Sequence, residues 1–210
     1  LDEKIWFSRV AMEKSVPVEM THVKAFTVTE KPDGWRVRIE DDAYLYVTSP
    51  DNFEDYPDHG TVKILAVFDN GALPEIMCID VAYESVVQLS SLDAAVTATV
   101  SEHTADDFNG YLIAFWRQED YSVDAAVQWL NSQWSTMTPQ NGTVTYDLSD
   151  VIDNFSEEEQ YVAFAVPYLP PLQVQQGKMK YVASDIQIVE CIEKKSFFEI
   201  SEIRFDSAHL

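Results

Sequence analysis

The chain has 210 residues, 46% of them hydrophobic and 24% charged, enough to bury the core of one large domain or two ordinary ones. Its 14 Lys and Arg stand against 36 Asp and Glu, a formal net charge of −22 at pH 7. A field of that sign repels phosphate backbones and anionic lipid headgroups, which argues against nucleic acid or a membrane surface as partners, and its first use is solubility. No apolar run approaches the ~20 residues that cross a bilayer as a helix.

Period-two alternation dominates the first 85 residues. Strands are predicted over 23–29, 35–39, 44–48, 61–68 and 76–83, each short and rich in β-branched and aromatic residues. Pro32-Asp33-Gly34, Ser49-Pro50-Asp51-Asn52, His59-Gly60 and Asp69-Asn70-Gly71 punctuate them. Trp35, Val37 and Ile39 alternate with Arg36, Arg38 and Glu40, which puts an apolar trio on one sheet face and the charges on the other. Turns at such intervals between alternating runs point to an antiparallel sandwich.

A second series follows without a long linker, with strands predicted over 87–92, 94–100, 110–116, 142–148, 160–166 and 179–192. A helix is predicted over 122–134. Ser122 can cap it, and Val123, Ala126, Val127, Leu130 and Trp134 recur at helical steps along one face. Two modules are therefore expected, 1–85 and 86–195, with restricted motion between them. The closing run over 198–210 alternates like an opening strand, and Val87-Gln88-Leu89-Ser90-Ser91-Leu92-Asp93-Ala94-Ala95-Val96 is a looser copy of it, matching at the apolar positions and the Asp-Ser/Ala-Ala step with a two-residue gap. Residues 196–210 thus read as the start of a further repeat or a C-terminal strand, and the chain as a slice of a tandem array.

Two stretches resemble known families. Lys31-Pro32-Asp33-Gly34-Trp35-Arg36-Val37, Tyr46-Val47-Thr48-Ser49-Pro50 and Gly60-Thr61-Val62-Lys63-Ile64-Leu65-Ala66 resemble Ig-like modules related to BACON domains of gut-bacterial cell-surface lipoproteins. Leu148 and Gln160-Tyr161-Val162-Ala163-Phe164-Ala165-Val166 resemble the E–F corner and F strand of fibronectin type III domains, with Tyr161 as the corner tyrosine whose hydroxyl returns to the backbone just upstream. The 122–134 helix departs from that family's pattern. The fold expectation is all-β: tandem antiparallel sandwiches, Ig-like then fibronectin III-like, the second with one inserted helix. The resemblance implies an exported lipoprotein at the cell surface or outer membrane, held by a lipid-bearing cysteine before Leu1, with polysaccharide as a suspected ligand in several such families.

The residues themselves carry no nucleophile elbow, zinc-protease motif, phosphate loop or dinucleotide fingerprint. His22, His59, His103 and His209 are scattered and expected to be solvated. Asp51-Asn52-Phe53-Glu54-Asp55-Tyr56-Pro57-Asp58 concentrates hard oxygen donors, but its spacing does not match a calcium-binding EF-hand and it reads as a solvated loop. Cys78 and Cys191 sit in strand-like runs and are expected as buried free thiols, with a disulfide as the alternative. No metal, cofactor or catalytic residue is assigned.

Trp35, Phe115 and Phe164 are expected in sheet cores. Trp129 points away from the helix's apolar stripe and is expected to be exposed, or packed against something other than its own module's sheet. With Trp116, Tyr121, Gln128 and Gln133 it forms the candidate glycan platform. The expected function is a non-catalytic cell-surface spacer; capture of polysaccharide and docking of another surface protein through a free strand edge are the alternatives.

Overall fold

The computed structural model describes residues 4–18, 20–40, 44–168 and 181–191. The segment 196–210, where a further repeat was expected to begin, lies outside the described residues.

Seven strands form the first sandwich: β1 (Ile5–Phe7), β2 (Glu13–Pro17), β3 (Val23–Glu30), β4 (Arg36–Glu40), β5 (Tyr44–Thr48), β6 (His59–Phe68) and β7 (Glu75–Tyr83). They make a four-stranded sheet in the order β1-β7-β6-β3 and a three-stranded sheet in the order β2-β5-β4. The predicted alternation is what joins them. Val62 and Ile64 of β6, Ile79 and Val81 of β7 and Leu45 and Val47 of β5 point inward around Phe7 and Trp35. The fully buried Trp35 keeps its polar edge satisfied by donating Nε1–H to the Pro57 carbonyl at 2.9 Å. On β4, Val37 and Ile39 are half-buried while Arg36, Arg38 and Glu40 are exposed. Phe53 leaves the acidic loop to stack near Tyr83 at 4.4 Å, so the 51–58 segment is pinned by its aromatic residue.

Two elements of this sandwich were not predicted. β1 is only three residues long, and β2 ends in Pro17, which cannot donate to a ladder. β1 also pairs parallel to β7, Ile5 opposite Val81, in an otherwise antiparallel arrangement among the described residues.

The second sandwich comprises β8 (Val87–Leu92), β9 (Ala95–Val100), β10 (Tyr111–Arg117), β11 (Val144–Asp147), β12 (Tyr161–Pro167) and β13 (Gln187–Cys191), with helices α1 (Val123–Gln133) and α2 (Leu148–Val151). One sheet runs β11-β9-β8 and the other β10-β12-β13. Within the run predicted as strand over 179–192, the described part is strand only from Gln187 to Cys191; Ala183–Asp185 is a 3-10 turn.

Every residue of β12 is buried, because both of its faces are covered. Tyr161 and Ala163 pack with Val96 of the facing sheet and Leu148 of α2, and Ala165 packs with Val87 and Ala98. Phe164 and Val166 turn the other way and meet Ala126 and Leu130 of α1. The helix is thus a third layer. Ser122 caps it, its hydroxyl accepting the Ala125 N–H at 3.1 Å. Tyr161 behaves as a corner residue: its hydroxyl accepts the Ser156 N–H at 2.9 Å and donates to Glu159 at 3.1 Å.

The cysteines depart from expectation in part. Both thiols are free, but Cys78 is exposed and only Cys191 is buried. On β7 the inward positions are Ile79 and Val81, so alternation turns Cys78 outward with Asp80. Burial pushes the Cys191 thiol up from its ordinary value, which further starves it of reactive thiolate. A thiol-disulfide dye near pH 8 should therefore titrate one cysteine rapidly in the folded chain and both after unfolding in urea. Two fast thiols in the native protein would contradict this placement.

Candidate functional site at the junction between the modules

The aromatic residues singled out on the helix surface, Trp116, Tyr121 and Trp129, pack partly buried against one cluster. Trp129 is half-buried, edge-on to Trp116 with ring centroids 5.6 Å apart and to Phe164 at 6.0 Å. It rests on its own module's sheet, against expectation. The buried face of α1 is rotated toward it: Ala126 and Leu130 are buried, whereas Val123, assigned to the apolar stripe, is 41% exposed. The reason is β10, whose Trp116 and Ala114 side, opposite Phe115, needs a cover. Tyr121 joins the same cluster; its hydroxyl is buried without a partner among the described residues, and burial pushes its phenol up. Gln128 and Gln133 are exposed, and Gln133 is engaged by Thr136. Asn131 is consumed in a two-way bond to the Tyr181 backbone, at 3.0 and 2.8 Å.

The polar chemistry gathers elsewhere, where the two sandwiches meet. Between the end of β7 at Tyr83 and the start of β8 at Val87, the connecting backbone is bonded on both sides: Glu84 N–H donates to Phe7, and Ser101 N–H to Val86, at 2.9 and 2.8 Å. Arg9, just past β1, reaches Asp185, just before β13. Its Nε and Nη2 donate to Oδ1 and Oδ2 of the carboxylate, both at 2.8 Å. The side chains are only 8% and 1% exposed, so this is a forked ion pair out of water. Asp185 also accepts the Val182 N–H at 2.9 Å, and the Arg9 carbonyl is fixed by the Ser49 hydroxyl at 2.7 Å.

A second ion pair lies beside it. Lys14 of β2 donates to both oxygens of Asp107, at 2.8 and 3.0 Å, and the Ser8 hydroxyl adds a bond at 2.8 Å. The Trp6 ring stacks on His103 with centroids 4.2 Å apart and planes 22° from parallel. His103 Nδ1 lies 2.9 Å from the Glu84 carboxylate. His103, expected as a solvated residue, is exposed and also takes part in the joint. Tyr83 is half-buried within reach of the Asp185 and Arg9 charges, and burial raises its phenol. No group of three or more His, Cys, Asp or Glu is poised to hold a metal among the described residues.

None of these junction residues was picked out in the sequence. Arg9 and Asp185 are 176 positions apart, and Asp185 is one acid among 36 Asp and Glu. Only the fold brings them together.

Against solved structures, the chain is similar to the D00–D0 domain of intimin at 13% identity and a TM-score of 0.34, over 78% of this chain and 87% of that one. It is also similar to titin Ig tandem domains, at 6% identity and a TM-score of 0.27, over 90% of each. A third similarity is to an endo-fucoidan hydrolase of glycoside hydrolase family 107, at 8% identity and a TM-score of 0.32, where 90% of this chain covers 27% of the enzyme. No family model matches the sequence, nor does any curated protein.

Proposed function

We propose that this chain is a non-catalytic spacer of a cell-surface protein, two β-sandwiches clamped end to end so that they present a neighbouring part at a set distance and angle. The observation that carries this reading is the buried, forked Arg9–Asp185 pair across the junction. A flexible tether has no use for such a contact. Desolvating two charges costs several kcal/mol and is recovered only in one geometry, so a pair of this kind selects one orientation of the modules. Trp6 on His103 and Lys14 on Asp107 act in the same sense. Display through a lipid anchor outside this chain belongs to the same proposal. Capture of polysaccharide by the α1 surface has less to work with, because Trp116, Trp129 and Tyr121 are spent on covering Phe164.

The exposed thiol of Cys78 supplies a natural label site on the first module. Spin labels there and at Asp124→Cys on exposed α1 should give one narrow distance distribution, broadened when Asp185 is replaced by Ala. A broad distribution in the unaltered junction would refute the spacer reading.

A further inference from the structure

The junction also encloses a cleft of about 260 Å³ whose lining differs in charge from that of two other clefts on the molecule. Its apolar side is built from Ile5 of β1, Val16 of β2 and Ile79 of β7, beside the Trp6 ring. Its polar side is Lys4, Lys14 and His103, the last contributed by the second module. Among the described residues no carboxylate lines it, although Asp107 and Glu84 pair with Lys14 and His103 from behind and Asp and Glu outnumber Lys and Arg by 36 to 14 in the chain. Two other clefts show the ordinary pattern: one carries Glu119 and Glu159, the other Asp93 and Asp147.

The donors are not all used. An ammonium group has three N–H bonds; Lys14 spends two on Asp107, which leaves one for a ligand. Lys4 lies over the Trp6 ring, 4.7 Å from its centroid, and is exposed. The Lys4 charge and the remaining N–H of the Asp107-paired Lys14, beside aliphatic side chains and an indole, fit a ligand that is anionic at one end and rich in C–H at the other. The volume falls below the ~300–1,000 Å³ usual for drug-sized ligands, so one sugar ring or a short hydrocarbon chain fills it.

We propose that this cleft binds a small organic carboxylate, the carboxylate held by Lys4 and Lys14 and the apolar body lying on Ile5, Ile79 and Trp6. The carboxylate belongs either to a uronic acid or to a short free aliphatic acid; the recognition chemistry is the same. Because β1, β2 and the His103 loop all border the cleft, the ligand touches both modules. The inference is independent of the spacer reading and survives its failure.

Sodium D-glucuronate and sodium hexanoate are the probes, with glucose and hexanol as uncharged counterparts, titrated into the whole chain at constant ionic strength. The readout is the NMR shift of the Trp6 indole N–H, assigned with Trp6→Phe, and of the Ile5 and Ile79 methyl groups. At least one carboxylate should give a saturable shift with a Kd of about 1 mM, and its uncharged counterpart none. Glucuronate alone acting identifies an acidic sugar; hexanoate alone, a free acid; both, a site that reads only the shared chemistry. Lys4→Gln, at an exposed position before β1, should weaken binding by about five-fold or more without altering the rest of the spectrum. The proposal is overturned by silence of both carboxylates to about 20 mM, by equal shifts from the uncharged counterparts, or by unchanged affinity in Lys4→Gln.

Discussion

Asp185→Ala is expected to destabilise the chain by about 3–5 kcal/mol, the usual cost of breaking a buried ion pair from one side, and to lower its melting temperature by about 10 °C. The cost comes less from the lost attraction than from what stays behind. The Arg9 guanidinium would remain 8% exposed with its carboxylate gone, and Arg9 Nη1 already has no hydrogen-bond partner among the described residues. The Val182 N–H would lose its acceptor as well. Salt cannot screen a charge that water does not reach, so the loss should persist at high ionic strength, unlike that of the exposed Arg36–Asp51 pair.

The paired replacement Arg9→Met with Asp185→Leu separates stability from orientation. Removing both charges removes the desolvation cost with them, so most of the lost stability should return. The spin-label distance distribution should nevertheless stay broad, because no forked contact then selects one angle. Calorimetry on the three proteins checks the first part. An Asp185→Ala protein melting within about 2 °C of the parent would remove the junction pair from any account of this fold.

How much of this was legible depended on whether the signal was local. Strand alternation is set by neighbours two residues apart, so Val37 and Ile39 against Arg36 and Arg38 could be assigned to opposite faces, and β5 and β8 have the predicted bounds. The α1 cap is equally local. The helix face was harder, since Val123 and Trp129 compete for the same half-turn and composition does not choose between them. One cue was present: Tyr161-Val162-Ala163-Phe164-Ala165-Val166 is apolar at every position, the mark of a strand covered on both faces. A sandwich covers only one, so the run calls for a third layer, and α1 is the element available to supply it. The junction had no such cue. Its contacts join β1, β2 and the residues before β13, and a single Arg or Asp in an acidic chain says nothing of its partner.

The covered face makes a second quantitative demand, this time on Trp129. If its ring roofs Phe164 and Trp116, Trp129→Ala leaves a void above the two rings beside the buried Leu130. Large-to-small changes of this kind cost 3–5 kcal/mol in full cores. For a half-buried ring about 2–4 kcal/mol is expected, part of it from lost edge-to-face contacts. Urea unfolding should show the midpoint falling while the slope is kept, and near-ultraviolet circular dichroism should lose intensity as the aromatic cluster comes apart. Trp129→Phe should recover part of the loss because it refills part of the volume. Gln128→Ala, one residue away and exposed, should move stability by no more than about 0.5 kcal/mol. A solvent-facing platform would reverse the pattern: Trp129→Ala would be neutral in stability and costly only in binding. Neutrality within about 0.5 kcal/mol would therefore return Trp129 to the surface, whereas a multi-kcal/mol loss fixes the ring as the keystone between the helix and the sheet.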